Sequence, residues 1–323
     1  MAKKPLAIIS DERHGSIDPE LSVLEPLGME LRVAHCTTSG DIAAQCAEAD
    51  AVLLNLAPMD ASAIAALRRC VVISRYGVGM DNVDLRAAEA KGIAVRNVKG
   101  YCDAEVAEHA LALLLALLRG IPERDRAVRD GGWNIMSPQA SLLGTVVGVA
   151  GFGGSGREFA RRALAFAPAE LAVWSPHCCQ EKLEAELGMA ARASGTRLRS
   201  VSFGELVASS DALSIHLALC DQTKGLFSDR TLGGMKRGSR LINCARGAIV
   251  DSAALARALD GGILAGAGLD VLDQEPPAEN HPLIGRPDVI LTDHCAYRSD
   301  RSIEELKRRC AQNAAEEVLA RIS

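Results

Sequence analysis

Polar side chains whose types are suited to catalysis follow three apolar segments in the second half of the chain. Arg246 lies in NCARG, Glu275 in LDVLDQEPP and His294 in TDHCA. An arginine can bind a carboxylate through two hydrogen bonds and polarise the adjacent carbonyl. A histidine can deliver a proton, and a glutamate bonded to it can hold its tautomer. Beside a nicotinamide these groups would suit the reduction of a 2-oxo acid, although each of them taken singly also fits a structural role.

The three segments belong to an alternating pattern of strands and helices that runs from residue 145 to about 293. Because the carboxyl ends of parallel strands meet at one edge of a sheet, the three side chains should converge there. The predicted elements are strands at Thr145–Ala150, Leu171–Trp174, Ala212–Ile215, Arg240–Asn243, Ala267–Asp270 and Val289–Leu291, and a helix at Ser252–Asp260. These units are sufficient for a nucleotide-binding domain.

A glycine cluster is the second chemical feature of this half. The segment GFGGSG contains the expected cofactor contacts Gly151, Gly153, Gly154, Ser155 and Gly156. Gly151, Gly153 and Gly156 fit G-x-G-x-x-G directly after an apolar run. Such glycines permit a tight strand-to-helix turn and let a pyrophosphate approach the helix N-terminus. A chain with 29 glycines also meets this spacing by chance. The flanking strand and helix patterns therefore favour a dinucleotide site over a structural turn.

The first hundred residues alternate in the same way and predict a parallel sheet with helices on both faces. The expected strands are Leu6–Ile9, Leu31–Ala34, Ala51–Leu54, Val71–Ser74 and Ile93–Val95, and the expected helices are Asp41–Ala49, Asp60–Arg68 and Asp84–Lys91. All three helices open with an aspartate, and in two of them we expect this residue to be the N-cap. The glycine-rich loop RYGVGMDN (75–82) follows the fourth strand, at the edge where such sheets usually bind ligands. On this stretch alone, a simple glycine-rich turn is the favoured explanation.

Two more helices define the domain organisation. Asp103–Arg119 predicts a long, largely apolar, buried helix, and Ser299–Arg321 predicts a final amphipathic helix that returns to the first domain. The charged segment PERDRAVRDGGWN follows the first of these helices, with Trp133 either an anchor on another subunit or part of a solvated surface helix. We therefore expect an α/β protein with two domains, 1–102 plus 295–323 and 103–294, and a dimerisation arm near 120–144.

The composition disfavours several classes of function. Aromatic residues make up only 3% of the 323 residues and the net charge is −5, so neither nucleic acid nor an anionic membrane is an expected partner. The ten cysteines lack C-x-x-C metal spacing and indicate reduced thiols in a cytoplasmic protein with no metal site. The apolar run before Asp11 is too short for a signal peptide, and Val106–Leu118 is too short to cross a membrane.

Four separated motifs resemble the signatures of the D-isomer-specific 2-hydroxyacid dehydrogenases. They are GFGGSG, NCARGAIVD, GAGLDVLDQEPP and TDHCA, and RYGVGMDNVDL resembles the substrate loop of that family. The resemblance covers nearly the whole chain. It implies two Rossmann-like domains with parallel sheets, a flavodoxin-like substrate domain and an inserted dinucleotide-binding domain. It also implies an enzyme that uses NAD, with NADP not excluded, acts on a small 2-oxo or 2-hydroxy acid, and forms a homodimer.

The resemblance implies roles for individual residues. Arg246 would bind the substrate carboxylate and carbonyl, His294 would act as acid and base, and Glu275 would be its partner. Asp270 would hydrogen-bond the nicotinamide carboxamide, and Ala245 would lie along the cofactor. The substrate contacts implied in the first domain are Arg75 and the backbone N–H groups of Val78 and Gly79.

The chain departs from the family pattern at three positions. Ser175, an expected cofactor contact, follows the second strand of the nucleotide domain, where the family usually places an acid that binds the adenosine ribose hydroxyls. The choice between NAD and NADP is therefore open. Asp293 stands where a proline usually precedes the catalytic histidine. Lys99 either favours an acidic or phosphorylated substrate or is solvated surface.

Two functions follow from these observations. The leading hypothesis is an oxidoreductase for a small D-2-hydroxy acid and its 2-oxo acid, of the glyoxylate, hydroxypyruvate or 3-phosphohydroxypyruvate type. The alternative is an NADH-sensing interaction protein, because RYGVGMDNVDL and GYCDAEVAEHALALLLAL also resemble the C-terminal-binding corepressors of the same fold. Those corepressors keep Arg246, Glu275 and His294, so the three residues do not discriminate. The absence of a long low-complexity tail favours the enzyme.

Overall fold

The computed structural model describes residues 4–134, 136 and 139–322. The chain divides into two compact units: the first runs to Tyr101 and resumes at Arg298, and the second spans Cys102–Tyr297. This second unit extends past residue 294, the expected end of the inserted domain. The reason is local, because the two residues after 294 donate their backbone N–H groups to Asp270 within the second unit.

The first unit contains a five-stranded parallel sheet in the order β2-β1-β3-β4-β5. Its strands are β1 (Leu6–Ile9), β2 (Glu30–Val33), β3 (Ala51–Leu54), β4 (Val72–Arg75) and β5 (Ala94–Asn97). Its helices are α1 (Asp18–Leu24), α2 (Ser39–Gln45), α3 (Ala61–Ala66), α4 (Leu85–Ala90) and the last helix of the chain, α12 (Asp300–Ile322). This strand order is flavodoxin-like, as predicted for the substrate domain.

Side-chain caps set where the short helices of the first unit begin. Asp60 and Asp84 cap α3 and α4 by accepting N–H groups of the first turn. Helix α2 was predicted to begin at Asp41 but begins at Ser39. The reason is that Thr38 is the N-cap and Asp41 completes the capping box from the third helical position.

The second unit contains a seven-stranded parallel sheet in the order β12-β11-β10-β9-β6-β7-β8. Its strands are β6 (Val146–Ala150), β7 (Glu170–Trp174), β8 (Arg197–Ser200), β9 (Ala212–Ile215), β10 (Ser239–Asn243), β11 (Leu264–Leu269) and β12 (Val289–Leu291). Its helices are α5 (Asp103–Arg119), α6 (Ile121–Arg129), α7 (Gly154–Ala163), α8 (Gln180–Ser194), α9 (Phe203–Ser209), α10 (Asp229–Gly233) and α11 (Ser252–Asp260). The order reverses between β6 and β9, which is where doubly wound sheets bind nucleotides.

Several elements lie outside the sequence predictions, among them α1, α8, β8 and α9. Strand β8 is at the edge of its sheet and buries only Leu198 fully, so its sequence RLRS lacks the apolar run that marks a central strand. Helix α1 is short, and a proline lies in its first turn. Weak local patterns of this kind become helices and strands because the neighbouring elements pack on them.

Helix α5 is buried along one side of the seven-stranded sheet, as its apolar pattern predicts. The glycines of β11 allow the helix to approach closely, since a Cβ at Gly268 would lie 2.9 Å from the Cβ of Leu113. The same packing places His109 of α5 beside Thr292, just after β12. Among the described residues, no helix combines the length and apolarity that a membrane crossing requires.

Candidate active site

His294 lies three residues after the end of β12, on the carboxyl edge of the seven-stranded sheet. Its Nδ1 is 2.6 Å from Oε2 of Glu275, and the ring of Tyr297 stands edge-on to the imidazole. The backbone of His294 has φ +55°, in the left-handed region that residues other than glycine rarely adopt. Such a backbone persists only where the surroundings hold it, and it is concentrated at functional sites.

The Glu275 carboxylate is held from both sides. Its Oε1 accepts the backbone N–H of Leu272 at 2.9 Å, and its Oε2 meets the histidine. Burial acts to raise the pKa of Glu275, but the hydrogen bonds from His294 and Leu272 and the charge of Arg246 outweigh it, so the pKa lies below its usual value. An ionised Glu275 keeps the proton of His294 on Nδ1, and Nε2 is then the atom that can exchange a proton with a substrate.

Arg246 lies in the turn after β10, and its charge acts on Glu275. The turn is built on Asn243, a buried residue whose side chain donates to the Arg246 carbonyl at 2.9 Å and accepts the N–H of Ala245 at 3.0 Å. The following Gly247 packs against backbone, since a Cβ there would lie 1.9 Å from the carbonyl carbon of Leu272. Asn243 was not among the predicted site residues, although a polar residue at the last position of an apolar strand was the available signal.

Asp270 directly follows β11 and is 1% exposed. Its Oδ1 accepts the Thr292 hydroxyl at 2.6 Å and the Cys295 N–H at 3.0 Å, and its Oδ2 accepts the Ala296 N–H at 2.9 Å. The Asp270 carbonyl also accepts the N–H of His294 at 2.8 Å. One buried residue thus holds the backbone on both sides of the histidine and imposes its left-handed conformation.

Three groups with metal-binding atoms surround this carboxylate: His109, Asp270 and Cys295, whose candidate ligand atoms lie within 4.8 Å of one another. The His109 Nε2 is already 2.9 Å from the Thr292 hydroxyl, which in turn donates to Asp270. Burial and the carboxylates of Asp270 and Asp293 raise the pKa of the Cys295 thiol to about 11. The cluster is therefore a hydrogen-bond network that supports the histidine. Asp293 interacts with the Cys295 thiol within it.

The glycine turn connects β6 to α7 at the point where the strand order reverses. Gly151 has φ +102°, and a Cβ there would lie 2.4 Å from the carbonyl oxygen of His216; a Cβ at Gly156 would lie 2.1 Å from the carbonyl oxygen of Gly151. Gly153, the N-cap of α7, has open space around its missing Cβ. Two glycines are therefore required by the fold, and the third leaves backbone accessible. This turn fits a pyrophosphate.

The remaining expected cofactor residues lie near this turn or at neighbouring strand ends. Ser155 is in the first turn of α7, with its hydroxyl 3.3 Å from Nδ1 of the buried His216. Burial lowers the pKa of His216 to about 3, so this imidazole is neutral. Gly154 packs against the Asp103 carboxylate. The half-buried Ser175 follows β7.

The three expected substrate-binding residues belong to the first unit: Arg75 is the last residue of β4, and Val78 and Gly79 lie in the loop that follows. Val78 is exposed, and its carbonyl accepts the Asn97 side-chain amide at 2.6 Å. The Arg75 guanidinium folds over Gly77 and donates to the carbonyl of Tyr76. Gly79 is half-buried, and Lys99 is exposed.

The first unit also contains a cavity of about 550 Å³ between the segment after β1 and the start of α12. Its lining includes His14, Ser16, Arg298 and Lys307.

A doubly wound parallel sheet with this glycine turn at its switch point defines a dinucleotide-binding domain of the Rossmann type. Residues 111–296 match the family model described as the NAD binding domain of D-isomer specific 2-hydroxyacid dehydrogenases. The chain belongs to this family, which confirms the resemblance seen in the sequence.

The relatives of this chain are named for different enzyme activities. The chain is 35% identical to a glyoxylate reductase of Korarchaeum cryptofilum over 81% of its own length and 76% of the relative's. It is 37% identical to a D-3-phosphoglycerate dehydrogenase of Bacillus subtilis over 77% of its own length and 44% of the relative's. The chain thus spans about half the length of the phosphoglycerate dehydrogenases that it matches. A solved glyoxylate reductase from Paecilomyes thermophila superposes with a TM-score of 0.85 at 29% identity, covering 98% of this chain and 96% of that one.

Proposed function

We propose that this protein is an oxidoreductase that interconverts a small D-2-hydroxy acid and its 2-oxo acid with a nicotinamide dinucleotide. The observation that carries the proposal is the 2.6 Å contact between His294 and an ionised Glu275, with the charge of Arg246 acting on the same carboxylate. A proton donor, its partner and a carboxylate-binding cation are the groups that reduction of a 2-oxo acid requires.

The residues divide the work as follows. A nicotinamide dinucleotide held at the glycine turn would supply the hydride chemistry when bound. Arg246 binds the substrate carboxylate and polarises the carbonyl, because its guanidinium presents parallel donors. His294 gives the proton on Nε2 to the carbonyl oxygen, and in the reverse direction takes it from the hydroxyl. Glu275 accepts the hydrogen bond from Nδ1 and holds the ring in place.

We place the substrate among small 2-oxo acids of the glyoxylate, hydroxypyruvate or 3-phosphohydroxypyruvate type. Two relatives, a glyoxylate reductase and a D-3-phosphoglycerate dehydrogenase, support this range. We also propose Arg75 and the backbone N–H groups of Val78 and Gly79 as substrate contacts.

A panel of these 2-oxo acids, assayed with NADH by the loss of nicotinamide absorbance, tests the proposal. We expect turnover of at least one of them and a loss of at least about a hundredfold in kcat for His294→Ala, because general acid catalysis contributes that much. An unaffected rate in this variant would remove the histidine from the reaction. Binding of NADH without turnover of any acid would favour the alternative, an NADH-sensing interaction protein.

We further infer a homodimer that forms through the arm at 120–144, in the reducing environment of the cytoplasm. Trp133 is 78% exposed and Met136 is 96% exposed, which is a large apolar area for a free surface. Residues 135, 137 and 138 of this arm lie outside the described residues. All ten cysteines are free thiols, which fits a cytoplasmic location. Sedimentation of the wild type and of Trp133→Ser would test the association.

A further inference from the structure

The end of β7 is the place where a Rossmann domain contacts the ribose of the adenosine, and in this chain its chemistry is unusual. A carboxylate at this position binds the two ribose hydroxyls and repels a 2'-phosphate. Here β7 ends at Trp174, and Ser175 takes the next position with a neutral hydroxyl. The Ser175 Oγ is 3.5 Å from the backbone N of His177, so serine and histidine form one small turn at the strand end.

A lysine reaches this turn from α8. The ammonium group of Lys182 is 3.4 Å from the carbonyl oxygen of His177, and both residues are exposed. The charge of Lys182 also acts on the neighbouring Cys178. Burial raises the pKa of the Cys178 thiol, and Lys182, the strongest of the charges that act on it, lowers that pKa. A cation is thus held beside the ribose position by a single carbonyl and is accessible to a ligand.

The acids near this turn are occupied by other groups. Glu186 pairs with Arg157 at 3.3 Å. Glu181 is turned toward its own backbone N–H and the Cys179 thiol, and these contacts lower its pKa. Neither carboxylate lies at the strand end where an acid would exclude a phosphate, and the opposite charges of Glu186 and Arg157 both act on Cys178.

We propose that Ser175, His177 and Lys182 form a 2'-phosphate subsite, so that the protein binds NADPH at least as tightly as NADH. The Ser175 hydroxyl donates to a phosphate oxygen and the Lys182 ammonium supplies the opposite charge. This inference rests on the proposed function, because it assumes that a nicotinamide dinucleotide occupies the glycine turn.

Isothermal titration calorimetry of the full chain with NADH and with NADPH, in the absence of any 2-oxo acid, tests the subsite. We expect a Kd for NADPH equal to or below that for NADH, and a steeper loss of NADPH affinity as salt is raised. Lys182→Ala should weaken NADPH about tenfold and leave NADH unchanged, since a charge-assisted hydrogen bond is lost. Ser175→Asp should weaken NADPH by at least about tenfold through like-charge repulsion and spare NADH.

Lys236→Ala is the matched control, because Lys236 pairs with Asp211 just before β9, at the amino edge of the sheet. It should change neither affinity. NADH binding that exceeds NADPH binding tenfold, or equal effects of Lys182→Ala on both dinucleotides, would overturn the subsite and leave the oxidoreductase intact. Binding of neither dinucleotide would overturn both proposals together.

Discussion

The Glu275 carboxylate is the hydrogen-bond partner of His294. Its pKa lies below the ordinary value of 4.5, so the contact is fully formed above that pH. Its contribution to stability is likewise present above pH 4.5 and is lost only as the pH falls through the lowered pKa. In Glu275→Gln the charged hydrogen-bond partner of His294 is replaced by a neutral amide. We expect kcat to fall at least about tenfold at every pH above 4.5, where the wild-type carboxylate is ionised.

Profiles of rate against pH for the wild type and this variant measure the effect. Glu279→Gln, an exposed acid of the same segment, is the control and should leave the profile unchanged. A Glu275→Gln profile identical to that of the wild type would show that the carboxylate does not act on the imidazole.

Asp270 positions the histidine through backbone hydrogen bonds rather than by direct contact with its ring. In the wild type both carboxylate oxygens accept backbone N–H groups of the loop. An asparagine can accept at one of these positions, but at the other its own N–H groups face a donor. For Asp270→Asn we expect kcat to fall about tenfold or more while the Kd for NADH changes less than about twofold.

Thr292→Val provides the comparison, because it removes one hydrogen bond to the carboxylate and keeps the charge. Its kcat should fall less than that of Asp270→Asn. A raised Kd for NADH with unchanged kcat in the asparagine variant would assign Asp270 to the nicotinamide carboxamide instead.

In the turn between β6 and α7, one glycine is needed for stability and another is needed only for binding the dinucleotide. A methyl group at Gly156 would collide with backbone at 2.1 Å, so Gly156→Ala should lower the free energy of unfolding and abolish dinucleotide binding together. At Gly153 nothing lies within 4 Å, so alanine should leave stability unchanged yet weaken binding, because the methyl group occupies the approach of the pyrophosphate.

Urea denaturation and NADH titration of both variants distinguish the two effects. Tight NADH binding by Gly153→Ala would mean that the pyrophosphate does not approach this turn.

The first unit is assembled from both ends of the chain, and a buried ion pair joins them. Lys307 of α12 is 1% exposed, and its ammonium lies 2.6 Å from Glu12 and 3.5 Å from Glu20. Glu20 also accepts the Tyr76 hydroxyl at 2.7 Å. Burial raises the pKa of Glu20, against the opposing effects of Tyr76 and Lys307. Removing the lysine would leave buried carboxylates without a cation.

Lys307→Met should therefore lower the free energy of unfolding by roughly 3 to 5 kcal/mol, measured by urea denaturation. The exposed pair of Lys236 and Asp211 gives the control, and Lys236→Met should change stability by less than about 1 kcal/mol. Equal small effects would show that α12 is held by its apolar contacts alone.

Many strands, helices and site residues could be predicted from short stretches of sequence. The apolar runs of β1, β3, β9 and β12 coincide with the predicted strands, and α5 has the predicted bounds. The glycine turn and the segments with Arg246, Glu275 and His294 were also recognisable, because periodicity, turn residues and motif spacing are properties of consecutive residues. The family followed from these motifs.

Other features depend on residues that are distant in the chain and ordinary in their local sequence. His109 and Thr292 are in contact although 183 positions separate them, and nothing in the sequence near either residue indicates this contact. The left-handed backbone of His294 likewise depends on the carboxylate of Asp270, which follows a different strand. Such contacts arise only when parallel strands bring their ends to one edge of a sheet. The chemical groups are therefore local in origin, and their geometry is a product of long-range packing.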